Sequence, residues 1–83
     1  MFSRQQVRFT TGTADNDGVL IYLEGELALV LVRLEDWSHG HSRGRWLVKA
    51  AFGPYSDGGP GLFDGPERAE EWITNQQALL HRT

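Results

Sequence analysis

The chain has 83 residues, no cysteine and a net charge of −3. That length fits one small domain, residues 1–83, burying only about 60–65% of the surface its unfolded form exposes, so association with another chain would help it. The missing cysteine excludes disulfides, thiolate chemistry and cysteine-bound zinc, and 11 acids against 8 Lys and Arg argue against a dedicated nucleic-acid binder.

The first residues, Met1-Phe2-Ser3-Arg4-Gln5-Gln6, form no apolar leader, and no apolar run is long enough to span a bilayer as a helix. The expectation is a cytoplasmic protein without a membrane segment. Gln5 to Thr10 alternates, with Val7 and Phe9 on one side and Gln6, Arg8 and Thr10 on the other, which predicts a half-exposed edge strand. Thr11 to Gly18 is a polar connector ending in Asp15-Asn16-Asp17-Gly18, residue types that favour a turn.

Two apolar runs follow, Val19 to Leu23 and Leu27 to Leu34, on either side of Glu24-Gly25-Glu26. The short spacing predicts an antiparallel hairpin, because a parallel pair needs a crossover of about a dozen residues. Successive strand side chains point to opposite faces. In the second run Leu27, Leu29 and Leu31 therefore fill one face and Ala28, Val30, Val32 and Leu34 the other. Both faces ask for cover.

Asp36 to Gly44 is a polar loop, and Arg45 to Gly53 alternates as a fourth strand, with Trp46, Val48, Ala50 and Phe52 on one face. Gly53 to Gly61, rich in Gly and Pro, predicts a surface loop. A helix is predicted from about Gly65 to His81. Asp64 is its expected N-cap, with Glu67 three residues on and Pro66 in the first turn. Ala69, Trp72, Ile73, Gln76 and Leu80 form its apolar stripe, and His81 and Arg82 suit the negative end of its dipole.

The fold class is thus α+β: a three- to four-stranded antiparallel β-meander with one C-terminal helix packed across one sheet face, in the order β-β-β-β-α. One helix of about 24 Å can cover one face only. Curling of the sheet, cover by its own loops, or a docked chain would account for the other.

Motifs for chemistry are sparse. His39-Gly40-His41 could share a metal with Asp36 or His81, but reads more simply as a polar loop. Asp15-Asn16-Asp17-Gly18 lacks the ligand spacing of a calcium loop. The glycine-rich segment before the helix lacks the Lys and hydroxyl of a phosphate loop. No serine sits in a nucleophile elbow. The reading at this level is a non-enzymatic protein with no cofactor and no catalytic set.

Gly61-Leu62-Phe63-Asp64 leading into Glu67-Arg68-Ala69-Glu70-Glu71-Trp72 resembles the strand-to-helix passage of AP2-type and phage-integrase arm-binding domains. Those domains join a three-stranded sheet to one C-terminal helix and read DNA with the sheet. The resemblance spans about a dozen residues and implies a DNA-binding sheet. The strands here offer only Arg8, Arg33, Arg45 and Lys49, where a DNA-reading face is studded with basic residues. The preferred reading is a protein-interaction module whose partner is a second copy, as a C2 homodimer, or another protein. Its candidate interface residues are Tyr22, Ala28, Val30, Val32, Trp37 and Tyr55.

Overall fold

The computed structural model describes residues 1–10 and 15–80. Five strands, β1 (Phe2–Arg8), β2 (Asp17–Leu23), β3 (Glu26–Arg33), β4 (Trp46–Ala51) and β5 (Leu62–Phe63), form one antiparallel sheet in chain order. The C-terminal helix, α1 (Pro66–Leu80), packs on one face. This is the expected α+β meander with one strand more. The added strand, β5, pairs Phe63 with Trp46 and Leu62 with Leu47, inside what reads locally as the approach to the helix.

The β2–β3 hairpin turns at Glu24 and Gly25, both with positive φ (52° and 81°). Left-handed geometry at both central positions matches the right-handed twist of the flanking strands. Gly25 takes it freely.

Two extra residues break the alternation of the strands. Ile21 pairs with Leu29 but Tyr22 pairs with Leu27, so Ala28 is a bulge residue in β3. Val30 pairs with Ala50 but Leu31 pairs with Val48, so Lys49 is a bulge residue in β4. A bulge turns the following side chains to the opposite face. Ala51 therefore joins Trp46 and Val48 against the core, while Ala50 lies on the other face with Val30. The expected set of Trp46, Val48, Ala50 and Phe52 on one side is corrected accordingly, and Phe52 is 45% exposed.

The core lies between sheet and helix. It gathers Val19, Ile21, Ala28, Leu29, Leu31, Tyr55, Phe63, Ala69 and Ile73. Ile21, Leu29, Leu31 and Ile73 are fully buried, each burial contributing about 1.5–3 kcal/mol. Trp72 packs at this core's margin, with its ring centroid 6.0 Å from that of Tyr55 and 6.1 Å from that of Phe63. Arg4 of β1 clamps the helix from the side through a two-pronged contact to Glu70, at 2.7 and 2.9 Å.

The start of the helix differs from expectation by one residue. The carbonyl of Gly65 accepts bonds from the N–H groups of Arg68 and Ala69, which makes Gly65 the N-cap position. Asp64 instead accepts a bond from Arg45 Nε at 3.0 Å. At the far end Leu79 and Leu80 are exposed, so the stripe runs beyond the sheet it covers. The expected dipole partners His81 and Arg82 lie outside the described residues.

Candidate functional site

Register assigns the second sheet face residue by residue, because directly paired residues share a face. One row runs Gln5, Leu20, Val30, Ala50, and the next runs Val7, Gly18, Val32, Leu47, Leu62. Ser3, Tyr22 and Leu27 add a shorter third row. Helix α1 lies on the opposite side, against Ile21 and Leu31. The paired residues in the middle of the second face are therefore aliphatic and uncharged, with Ser3, Gln5 and the Tyr22 phenol towards one end, Arg45 and Asp64 at the other, and the exposed bulge residue Lys49 beside Ala50.

One ring folds onto part of it. A Cβ built on Gly18 would lie 2.1 Å from Phe9 Cε2, so the Phe9 ring occupies the space a side chain there would need. The backbone N–H of Phe9 donates to Asn16 at 2.7 Å, which carries β1 past its last ladder pair and sets the ring over β2. Gly18, expected in a turn, is thus a strand residue whose missing side chain makes room for Phe9. Beside it Val32 is only 3% exposed. Val7, Leu20, Tyr22, Leu27, Val30, Leu47, Ala50 and Leu62 stay half-buried.

Among the predicted interface residues, Tyr22 and Val30 lie on this face and remain accessible, and Val32 lies on it but is buried. Ala28 and Tyr55 belong instead to the core. Ala28 leaves the face because it is the bulge residue. Tyr55 is pulled inward by the short 3₁₀ turn Gly53–Tyr55 and packs edge-on to Trp72 at an interplanar angle of 67°. Trp37 opens a 3₁₀ segment, Trp37–Ser42, and its side chain lies outside the described residues. Sequence reasoning missed Val7, Leu47, Ala50 and Leu62 as members of the face. Val7 carried a signal in its alternation with Phe9, and Leu47 in lying opposite Trp46 and Val48 on its strand; Ala50 and Leu62 depend on strand pairing.

The loop constellations hold structure together. Asp15 Oδ1 accepts the backbone N–H groups of Glu35 and Asp36 at 2.5 and 2.7 Å, and Oδ2 meets His39 Nε2. Burial pushes the Asp15 carboxyl up. The His39 hydrogen bond, the two amides and the attraction of a charged His39 outweigh it, leaving the carboxyl below its ordinary value. This clamp ties the approach to β2 to the segment after β3. Among the described residues no group of three or more His, Asp or Glu side chains could hold a metal ion.

A cleft of about 490 Å³ opens beside β1, lined by Gln6, Val7, Arg8, Asp17, Gly18, Arg33 and Trp46. Its two cations are already countered, Arg8 by Asp17 at 3.5 Å and Arg33 by Glu35 at 3.1 Å. A smaller cleft of about 280 Å³ lies where Phe52, Pro54 and Tyr55 meet the end of the β2–β3 hairpin. No helix among the described residues is long and apolar enough to cross a membrane. No protein-family model, curated protein or solved structure matches this chain.

Proposed function

We propose that this chain is a small non-enzymatic interaction module that self-associates through the helix-free face of its sheet, two copies pairing face to face about a two-fold axis. The observation that carries this reading is the aliphatic centre of that face, the paired residues Leu20, Val30, Val32, Leu47, Ala50 and Leu62, on a sheet whose helix packs on the opposite side. An apolar centre with a polar margin is the anatomy of a protein interface. A second copy fits it because the same uncharged rows meet on both sides, so no ion is buried in the middle. A body of 45 × 24 × 18 Å accommodates one helix layer on one sheet layer.

A DNA-reading sheet fits the same face less well. Of the arginines on the strands, Arg8 and Arg33 lie on the helix side and pair with carboxylates, and Arg45, beside Leu34 at one end of this face, is held by Asp64.

The test is the solution mass by size-exclusion chromatography with light scattering, at low and high salt. The expected result is an assembly of at least two copies of the 9.3 kDa chain that persists or tightens as salt rises, as apolar burial does. Val30→Asp should remove the face-to-face contact and lower the measured mass, with its circular dichroism retained. A wild-type chain that stays monomeric at all concentrations overturns the reading. Binding to DNA that weakens steeply with salt would favour the nucleic-acid alternative.

A further inference from the structure

The edge of the sheet offers a second contact, independent of the helix-free face. Sheets usually blunt their edges with short strands, proline, bulges or charge. The β5 edge follows this rule: it has two residues, preceded by Pro60 and Gly61 and followed by the Arg45–Asp64 ion pair. The β1 edge does not. It runs seven residues in unbroken register with β2, contains no proline, and has no described strand on its outer side. Its two cations are engaged within the chain, Arg4 by Glu70 and Arg8 by Asp17.

The backbone groups that this edge turns away from β2 can be assigned. Glu24 N–H donates to Met1 O, and Phe9 N–H donates to Asn16 O. Both pairs continue the β1–β2 register, and bonded pairs in an antiparallel ladder recur every second residue. Ser3, Gln5 and Val7 therefore turn their N–H and C=O groups towards β2. Phe2, Arg4, Gln6 and Arg8 turn theirs outward.

We infer that β1 pairs with β1 of a second copy, antiparallel, about a two-fold axis through Gln5. This register sets Phe2 opposite Arg8 and Arg4 opposite Gln6, so all four outward-facing residues of each copy find partners. A shift that centres the axis on Arg4 sets Arg4 against Arg4. A shift to Gln6 sets Arg4 against Arg8. Both place like charges directly opposite and leave one outward residue unpaired. The Gln5-centred register also keeps like faces together, with both helices on one side of a ten-stranded sheet and the aliphatic face continuous on the other.

The chain has no cysteine, so a single introduced thiol reports this geometry cleanly. At the axis Gln5 faces its own copy as a non-hydrogen-bonded pair, with Cα atoms about 4.5 Å apart, within disulfide reach. Ser3 would stand four residues from its own copy, about 14 Å, well beyond reach. Under mild oxidation Gln5→Cys should form a covalent dimer on a non-reducing gel at least tenfold faster than Ser3→Cys. Adding Gln6→Pro to Gln5→Cys should abolish the difference, because proline removes an outward N–H and no bond to β2. Each variant's fold is checked by circular dichroism. Equal cross-linking at positions 3 and 5, or cross-linking that survives Gln6→Pro in a folded chain, overturns the inference. Running Gln5→Cys in a Val30→Asp background separates the two surfaces: cross-linking there supports the edge whatever becomes of the face.

Discussion

Gly18→Ala is the most searching test of how β1, β2 and β3 meet. The added methyl would stand 2.1 Å from Phe9 Cε2 and 2.9 Å from the backbone oxygen of Leu31. Carbon atoms rest at about 3.5–4.0 Å, so the ring must retreat by at least about 1.4 Å, and the β3 backbone can yield little. Forcing a methylene into such a site typically costs about 1–3 kcal/mol. Gly18 has no positive φ, so alanine strains no backbone angle there and gains about 0.4–1 kcal/mol by restricting the unfolded chain. The net expectation is a loss of about 1–2 kcal/mol, or a fall in Tm of about 4–16 °C. The assay is a thermal and urea double-mutant cycle with Phe9→Ala. In the Phe9→Ala background most of the alanine penalty should vanish, leaving only the Leu31 contact. A Gly18→Ala chain as stable as wild type refutes the argument, as does a coupling to Phe9 below about 0.5 kcal/mol, the level expected of independent sites.

Ile73→Ala should cost about 2–5 kcal/mol, since Ile73 is fully buried at the centre of the helix–sheet contact. For a chain of 83 residues, with a total stability of about 4–12 kcal/mol, that is a large share, and a urea midpoint shift worth less than about 1 kcal/mol would mean that the helix packs elsewhere. Arg4→Lys keeps the charge but loses the two-pronged contact to Glu70; with Arg4 38% and Glu70 17% exposed, the cost should stay below about 1 kcal/mol and shrink in high salt. The folded Asp15 carboxyl lies below its ordinary value of 3.8, so the unfolded chain binds the proton more readily in that window. Its stabilisation should be complete above about pH 4 to 5 and fade as pH falls through the lower folded value. Asp15→Asn should flatten that acid limb in a pH series of urea melts, and an unchanged limb would remove the clamp from the account.

Local chemistry made several elements legible in the sequence. The stripe of Ala69, Trp72 and Ile73 at spacings of three and four, with Pro66 at the first turn, specifies a helix and its buried side. Glu24-Gly25 between two apolar runs specifies a hairpin because little else can join strands so close together. The surplus of apolar strand residues over what one helix can cover is likewise legible in the sequence. Which residues form the uncovered face was not. That depends on bulges at Ala28 and Lys49, and a bulge arises from how a strand fits its neighbours, a property absent from its own alternation. The same cause hid β5, whose two residues form a strand only because Trp46 and Leu47 lie beside them. It also hid Gly18, a turn glycine by its neighbours in sequence and a strand glycine by its neighbour in space, Phe9. Tertiary pairing decided those positions because each is fixed by a contact between segments that the chain brings together only on folding.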